Sequence, residues 1–412
     1  MDAPLLFKGG GRGWGDARRL EFRLNSAEQA RRRASRFTPP ANPLPSRGGG
    51  IALFAVMLAL LVTSAVAQAP IAVSDRVVMA ERPAQLLSEY HFFRDAGARE
   101  PNAGVTPYEL NTALYSDGAL KFRFLYIPQG AAAQYRDDGV FEFPVGTVLI
   151  KTFAFAADMR APAQNVRFLE TRLLIRRAEG WIALPYVWNE AQTEARLSPI
   201  GASVPVSFTN DQGQAVALDW VVPNRNQCKG CHDVAGDIQP IGPRARNLNR
   251  SVAYAGGAED QLRHWFDGGL IDAAPSAQSP RIPNAYDPAS GALEARARAY
   301  LDVNCAHCHN PQGPAHTSGL DLRWSQHEAM QWGVGKRPVA AGRGSAGMEF
   351  AIAPGDPDHS FLLYRMESLD PGVMMPELGR QTTDARAVAL MREWIAGMSR
   401  DGSSEHASPP SR

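Results

Sequence analysis

All four cysteines of this 412-residue chain lie in two short motifs of the form Cys-x-x-Cys-His, at residues 228–232 and 305–309. Two thiols at this spacing can each form a thioether with a vinyl group of one porphyrin, and the histidine that follows can coordinate its iron. The motifs therefore predict two covalently bound haem c groups. The residues expected to hold them are Cys228, Cys231 and His232 for the first haem, and Cys305, Cys308 and His309 for the second.

Two other chemistries use paired cysteines, a four-thiolate zinc site and a redox-active dithiol. Zinc sites usually place their two cysteine pairs about 15–20 residues apart, whereas 73 residues separate Cys231 from Cys305 here. A redox dithiol needs no histidine after its second cysteine. Because only 9 of 412 residues are histidine, histidines would follow both motifs by chance about once in two thousand cases. The haem interpretation explains more of the residues.

The second motif is surrounded by the elements of a small class I cytochrome c domain. Residues 293–303 predict a helix that leads into the motif, and residues 383–398 predict another whose apolar positions recur with a period of 3.6. Between them lies Met375, and the following Pro376 stiffens a loop that could present its sulfur to iron. Met375 is therefore the predicted sixth ligand of the second haem. Met374 is the alternative, and both could instead be core methionines.

The first motif has no comparable partner nearby. A predicted strand runs directly into it, and no methionine occurs between Met159 and Met330. Pro243 lies eleven residues after His232, and its carbonyl could accept a hydrogen bond from the histidine Nδ1, or the Gly-Pro pair could form an ordinary turn. The weak candidates for the sixth ligand are His264, in a predicted helix over residues 258–266, Met366 and Met348; otherwise the iron is five-coordinate.

Residues 80–222 contain about six or seven short segments with the alternation of β-strands. The clearest covers residues 168–177, where apolar and charged side chains alternate, and residues 178–180 follow as a suitable hairpin turn. Regular turns indicate an antiparallel sheet of sandwich or barrel-like form. The expected fold class is α+β, with an N-terminal antiparallel β-rich domain followed by two small, mostly α-helical haem domains.

No catalytic set of side chains is evident in this β-rich segment. His91 is the only histidine before the first motif, and an isolated histidine is more often structural than a ligand. Trp181, Tyr186 and Trp188 are expected to be core aromatic residues. His307 lies between the cysteines of the second motif, where a side chain points away from the iron, and it is expected at the surface.

Residues 51–62 form an apolar run, followed by an Ala-x-Ala sequence that ends at Ala67. The run is shorter than the roughly 20 residues of a transmembrane helix, so it predicts a signal peptide cleaved after Ala67, with an uncleaved membrane anchor as the alternative. Residues 1–47 are rich in Arg, Gly and Pro and are expected to be disordered. Export to the periplasm agrees with haem c, which is attached outside the cytoplasm.

Charge is distributed unevenly along the chain. Residues 1–50 carry ten basic and four acidic side chains, a balance of +6, so the remaining residues carry −5 within the formal total of +1. A mildly acidic mature protein gives no reason to expect binding to nucleic acid.

The predicted organisation has five parts, of which one contains the complete class I set of helices, motif and methionine. They are a disordered extension with the signal peptide (1–67), a β-sandwich-like domain (80–222), the first haem segment (223–290), a class I-like cytochrome c domain with the second haem (291–400) and a disordered tail (401–412).

Residues 85–398 resemble a family of uncharacterised bacterial di-haem c-type cytochromes. The stretches that carry the resemblance are YVWNEAQT at 186–193, PNRNQC at 223–228, PIGPRARNLN at 240–249, NCAHCHNP at 304–311, SGLDL at 318–322, PGDP at 354–357 and MPELGR at 375–380. The resemblance implies electron transfer in the periplasm. It implies no substrate, because the role of the family is unsettled.

The sequence thus predicts a periplasmic di-haem c-type cytochrome that transfers electrons through Fe(II)/Fe(III) haem and works with redox partner proteins. One alternative is a di-haem peroxidase-like enzyme, in which the first haem is an open catalytic site. Another is the cytochrome subunit of a redox complex, docked through the β-rich domain. Arg365, Arg380 and Trp324 are candidate partners of the haem propionates.

Overall fold

The computed structural model describes residues 71–95, 97–339 and 341–399, which all belong to one unit of the chain, Val66–Arg412. The predicted signal peptide, its cleavage site after Ala67 and the C-terminal tail lie outside the described residues. Within the described ranges, no helix is both long and apolar enough to cross a membrane.

A six-stranded antiparallel sheet occupies most of the first half of the described chain. Its strands follow one another in chain order, so each inner strand pairs with its predecessor and its successor. They are β1 (Val105–Pro107), β2 (Leu120–Tyr126), β3 (Val148–Ala156), β4 (Val166–Arg177), β5 (Gly180–Trp188) and β6 (Ala195–Leu197). The sheet is open, with β1 and β6 at its edges, and the predicted antiparallel sheet is confirmed.

The two faces of this sheet are covered differently, because side chains alternate along each strand. In β3, Val148 and Ile150 belong to a core packed against the segment before the sheet. Leu149 and Phe153 lie on the opposite face, where they belong to two separate clusters. Lys151 lies between Leu149 and Phe153 on the second face. It is therefore a basic residue at a position where the alternating pattern predicts an apolar side chain.

A separate hairpin covers part of the second face. It consists of β7 (Ala202–Thr209) and β8 (Ala215–Val222). Phe208 stacks on Phe155 with ring centroids 4.3 Å apart, and the indole nitrogen of Trp220 donates a hydrogen bond to the buried carboxylate of Glu170 at 2.8 Å. The hairpin also leads the chain from the sheet to the first motif.

Most helices of the chain are short. The α-helices are α1 (Asp75–Val78), α2 (Arg225–His232), α3 (Ala245–Leu248), α4 (Gln261–Asp267), α5 (Leu293–Asn304), α6 (Ala329–Trp332), α7 (Phe361–Glu367) and α8 (Ala385–Ala396). Single 3-10 turns occur at Leu87–Tyr90, Pro288–Ser290, His316–Ser318, Gly342–Ser345 and Pro357–His359. With the sheet, these helices confirm the predicted mixed α+β class.

The two longest helices, α5 and α8, pack against each other in the C-terminal part, as the 3.6-residue periodicity predicts. The side chain of Asp384 caps α8 by accepting a hydrogen bond from the backbone N–H of Ala387 at 3.1 Å. Both helices contribute to one apolar core, together with Leu322, Ile352 and Leu363. The members from the two helices are Ala297, Tyr300, Leu301, Ala387, Leu390, Met391, Trp394 and Ile395.

Two small hairpins accompany the short helices after the first motif. They are β9 (Asp233–Val234) with β10 (Asp237–Ile238), and β11 (Ser251–Tyr254) with β12 (Gly257–Asp260). The predicted helix over residues 258–266 is wrong at its start, because residues 258–260 pair with β11 instead. Asp260 ends the strand and caps α4, since its side chain accepts a hydrogen bond from the N–H of Arg263 at 2.8 Å.

A buried ion pair joins α3, which follows the first motif, to α5. Arg246 donates two hydrogen bonds to Asp302, from Nε to Oδ2 at 3.0 Å and from Nη2 to Oδ1 at 2.9 Å. The two side chains are only 2% and 3% exposed. Arg246 also donates to Asp138 at 2.6 Å, and Asp302 also accepts the N–H of Trp324 at 2.9 Å. Because Asp302 precedes Cys305 by three residues, this pair positions the second motif.

Replacing Asp302 with alanine leaves the Arg246 charge buried without its main partner. We expect Asp302→Ala to lower the free energy of unfolding by about 3–5 kcal/mol, as is usual when one member of a buried pair is removed. Asp267→Ala is the matched control, because Asp267 pairs with Arg263 at a similarly short distance of 2.8 Å but both side chains are more than half exposed. We expect Asp267→Ala to lower the free energy of unfolding by less than about 1 kcal/mol. Urea unfolding measures both, and equal losses would contradict the role given to Asp302.

Candidate functional site

The two motifs, 73 residues apart in sequence, lie side by side in the structure. The thiols of Cys231 and Cys308 interact strongly enough to shift each other's pKa, and Sγ of Cys308 lies 4.0 Å from the carbonyl oxygen of Gly230. The backbone N–H of Ala235 reaches the carbonyl oxygen of Gln312 at 3.5 Å. The expected attachment points of the two haems therefore adjoin.

The first motif lies inside α2 because the chain has a strong helix start directly after β8. The side chain of Asn224 accepts a hydrogen bond from the N–H of Gln227 at 2.9 Å, and the side chain of Gln227 accepts one from the N–H of Asn224 at 2.9 Å. This reciprocal pair is a capping box, which satisfies two free N–H groups of the helix start. Residues three apart share one helix face, so Cys228 and Cys231 are presented together.

His232 is held in the orientation that an iron ligand requires. Its Nδ1 lies 2.8 Å from the carbonyl oxygen of Gln239, which can only accept a hydrogen bond, so Nδ1 carries the proton and Nε2 is the available donor atom. The predicted acceptor, the carbonyl of Pro243, is not the one found, and Pro243 belongs to the turn that precedes α3. Burial lowers the pKa of His232 to about 4, which keeps the ring neutral.

His309 has an equivalent arrangement with a different acceptor. Its Nδ1 lies 2.9 Å from Oγ of Ser318. Because the Ser318 hydroxyl donates to the carbonyl of Ala315 at 2.7 Å, it accepts from His309, and Nε2 is again the available atom. Burial lowers the pKa of His309 to about 4, and the nearby charge of Arg365 acts in the same direction. Both motif histidines are thus neutral and oriented.

The four thiols are all unpaired, but their environments differ. Burial raises the pKa of Cys305 to about 12 and also raises that of Cys228. The interaction with Cys308 lowers the pKa of Cys231. Cys231 is therefore the thiol whose anion is most favoured.

The loop with the predicted methionine ligand touches both motifs. The N–H of Met375 donates to the carbonyl of Arg365 at 2.9 Å, and Nε of Arg365 donates to the carbonyl of Val373 at 2.8 Å. Arg365 in turn lies close enough to His309 to affect its pKa. On the other side of the loop, Leu378 packs against Gly230 of the first motif. Its Cδ1 lies 3.1 Å from the position that a Cβ atom on Gly230 would occupy. Met375 is thus near the second motif, in a loop that also packs on the first.

Two further side chains, Arg380 within the loop and Asp117 outside it, fix its position. Arg380 is buried and donates to the carbonyl oxygens of Ser368 at 2.8 Å and of Arg365 at 3.2 Å. Asp117, from the turn before β2, accepts hydrogen bonds from the backbone N–H groups of Gln381 and Thr382 at 2.7 Å each. The β-rich part of the chain therefore helps to hold the methionine loop.

The other candidate ligands of the first haem make contacts elsewhere. The ring of His264 stacks on Tyr254 with centroids 3.6 Å apart, and its Nδ1 pairs with Glu259 at 2.7 Å. Met366 belongs to the core shared by α5 and α8. Met348 is half-buried in the segment after the 3-10 turn Gly342–Ser345. None of these contacts joins His264, Met366 or Met348 to α2.

His307 is the additional histidine that the fold brings to the first motif. It was predicted at the surface, but the side chain is half-buried and interacts with the Cys231 thiol closely enough to lower the pKa of that thiol. It also interacts electrostatically with His232, and its Nδ1 is buried without a hydrogen-bond partner within the described residues. No local sequence signal indicated this, because the contact is made between segments far apart in the chain.

A row of basic side chains beneath the first motif was also missed from the sequence. In the register of the sheet, Lys151 lies opposite Arg123 on one side and Arg172 on the other. Arg172 interacts electrostatically with the thiols of Cys228 and Cys231. The sequence contained one signal for this row. Each of the strands β2, β3 and β4 has a basic residue at a position on the same face of the sheet.

The chemistry of the two motifs fits haem attachment. Each supplies a pair of thiols and a neutral imidazole whose second nitrogen is fixed by an oxygen acceptor, as is usual for histidines that bind metal. In the part of the chain that the structure describes, no group of three or more His, Cys, Asp or Glu side chains could itself hold a metal ion. Haem iron needs only one or two protein ligands, because the porphyrin supplies the other four.

Two shallow cavities lie outside this region. Their volumes are about 370 and 290 Å³, and Trp324 lines both, together with Arg281 in the larger and Arg246 in the smaller. Neither is lined by a residue of the two motifs. We take the motif region as the functional site, because the groups with chemical reactivity are there.

No family model, curated protein or solved structure matches this chain. The resemblance to di-haem cytochromes and the haem groups themselves therefore remain predictions. They are supported by the residue types of the motifs and by the geometry described above.

Lys121 lies on the same sheet face as the basic row and yields a prediction for stability against pH. Its Nζ donates to the carbonyl of Ala119 at 2.9 Å, and burial lowers its pKa to about 7. In the unfolded chain the pKa of lysine is about 10.4. Between these values the unfolded state binds more protons, so the free energy of unfolding rises with pH, by up to about 1.4 kcal/mol per pH unit.

We expect Lys121→Met to remove this rise between pH 7.5 and 9.5, as measured by urea unfolding. Lys229→Met is the control, because the Lys229 side chain is about half exposed and close to the same motif. The difference between wild type and each variant cancels other groups that titrate in this range. A Lys121→Met protein whose stability rises with pH as steeply as wild type would show that Lys121 is charged in the fold.

Proposed function

We propose that the chain is an exported c-type cytochrome that binds two haems covalently and transfers electrons between redox partner proteins. One observation carries this proposal. Each motif has a half-buried, neutral histidine whose Nδ1 is held by an oxygen acceptor, and the two motifs meet at adjoining thiols. A redox dithiol or a four-thiolate zinc site requires neither oriented histidine.

Haem supplies a one-electron Fe(III)/Fe(II) couple when it is bound. The cysteines of the two motifs would hold the porphyrins as thioethers, and His232 and His309 would coordinate the irons. The carbonyl of Gln239 and the hydroxyl of Ser318 fix the two rings and make each Nε2 a stronger donor. Because the attachment points adjoin at Cys231, an electron has only a short distance to cross between the two sites.

Met375 completes the second site in this proposal. Its loop is fixed through Arg365, which also lies beside His309. A thioether is a neutral, soft ligand that favours Fe(II) and raises the reduction potential. Arg365 adds a positive charge near the same histidine, which acts in the same direction.

The first site is less complete, which favours a second candidate function. No methionine within the described residues makes a recorded contact with α2, and His264 is engaged with Glu259. A five-coordinate iron at this site would be open to peroxide, as in a di-haem peroxidase-like enzyme. His307 interacts with Cys231 and is a further candidate for the sixth ligand.

The first experiment counts covalent haem. The full chain is produced with a haem c maturation system, and haem is measured per chain after denaturation. We expect two haems for wild type and one each for the double variants Cys228→Ser/Cys231→Ser and Cys305→Ser/Cys308→Ser. Purified wild type without covalent haem would overturn the proposed function.

Spectroscopy of single variants assigns the axial ligands. We expect Met375→Ala to abolish the methionine-to-Fe(III) charge-transfer band and to lower one reduction potential by at least on the order of 0.1 V, a fraction of the roughly 0.8 V that axial ligands span. Met374→Ala is the matched control and should retain the band. Loss of the band in Met374→Ala alone would transfer the role to Met374.

The same spectra separate the two candidate functions. A carrier should show low-spin electron paramagnetic resonance signals for both haems, and His307→Ala should convert one to high spin if His307 is the missing ligand. His264→Ala should leave both signals unchanged. A high-spin signal in wild type, together with peroxide-dependent oxidation of a reduced donor, would favour the peroxidase-like enzyme.

A further inference from the structure

Three basic side chains stand directly opposite one another on the sheet face that adjoins the first motif. Arg123 of β2 pairs with Lys151 of β3, and Lys151 pairs with Arg172 of β4. Directly opposed residues have Cβ atoms about 4.5–5.5 Å apart, and like charges at that spacing destabilise a sheet. All three side chains are at least partly buried, which makes their repulsion harder for solvent to screen.

The protein supplies only part of the counter-charge. Glu170 is fully buried and is engaged by Arg172, through Nε at 2.9 Å and Nη2 at 2.5 Å. Lys151 has no hydrogen bond or ion pair within the described residues, and its Nζ lies 4.7 Å from the ring centre of Phe153. Nη2 of Arg123 is buried without a hydrogen-bond partner in the same part of the chain. Lys151 and Arg123 thus lack a carboxylate partner, and burial lowers the pKa of both side chains, so an anion beside them would favour their charged forms.

The row lies next to the first motif and not the second. Arg172 interacts electrostatically with the thiols of Cys228 and Cys231, and Lys151 interacts with His232. The basic residues near the second motif are engaged differently, since Arg380 donates to backbone carbonyls of the methionine loop. Arg172 and Lys151 thus act electrostatically on the thiols and the histidine of the first motif.

We propose that Arg123, Lys151 and Arg172 form the binding surface for the propionate carboxylates of the haem held by the first motif. This inference rests on the proposed function, because it requires haem at Cys228 and Cys231. Two propionates supply the two negative charges that the row lacks. Charge-assisted hydrogen bonds to carboxylate also satisfy the unpartnered Arg123 nitrogen and the Lys151 ammonium. The β-rich domain is then part of the haem site.

The test uses Lys151→Met in the full chain with its haems attached, since methionine keeps the length and apolar stem of lysine. Removing a positive charge beside the propionates makes Fe(II) less favourable. We expect the potential of the first haem to fall by at least about 30 mV, a threefold change in the one-electron equilibrium at 59 mV per tenfold. The potential of the second haem should not change. The Cys228→Ser/Cys231→Ser protein assigns the two transitions.

Lys229→Met is the matched control, because Lys229 lies within the motif but is exposed, 3.9 Å from Asp233. It should leave both potentials unchanged. An unchanged first potential in Lys151→Met, with two haems present in wild type, overturns the propionate assignment alone. Wild type without covalent haem overturns the proposed function and this inference together. The two failures are therefore distinguishable.

A free anion, such as a substrate carboxylate or phosphate, is the other source of the same negative charge. Inorganic phosphate is the probe, and thermal unfolding is the readout. If propionates occupy the row, phosphate should raise the melting temperature of Cys228→Ser/Cys231→Ser, whose retained second haem shows that it is folded, more than that of wild type. An equal rise in both proteins would show that the row binds free anions beside the haem, and would overturn the assignment.

Discussion

The ion pair between Arg246 and Asp302 is the interaction on which the arrangement of the two motifs depends. It is buried, and it joins a segment that follows the first motif to the end of the helix that leads into the second. Two motifs 73 residues apart in sequence can adjoin only if such a contact fixes one segment against the other. The thiol contact between Cys231 and Cys308 is a consequence of this packing, since a single weak side-chain contact could not by itself hold two segments together.

Charged side chains that are removed from solvent in this fold differ in whether they have a partner of opposite charge. At Asp302 the carboxylate and the guanidinium match in geometry, and Trp324 and Asp138 satisfy further hydrogen-bonding positions. At Lys151 the same cost of burial is left without a matching carboxylate. Uncompensated buried charge is rare in stable proteins and concentrates at sites that bind a ligand of opposite charge. The contrast distinguishes a structural ion pair from a surface prepared for an anion.

Sequence patterns predicted what is local. Alternation predicted strands of the sheet, β4 most clearly, and 3.6-residue periodicity predicted α8, because both patterns arise from neighbouring residues. Contacts between distant segments were not predictable. The acceptor for His232 is the carbonyl of Gln239 because β9 and β10 form a tight hairpin, so the Pro243 carbonyl, one of the two alternatives for the Gly-Pro pair, is not the acceptor. His307 was placed at the surface because its burial depends on the first motif.

The two motifs share one sequence pattern but have different supports, and this difference bears on function. The second lies at the end of α5, in a helical core with α8 and a methionine loop, so a haem bound there would have candidate protein ligands on both sides. The first follows a β-hairpin and adjoins the sheet face that bears Lys151. If haem binds at both motifs as proposed, substitutions in the sheet should change the reduction potential of the first haem and leave that of the second unchanged.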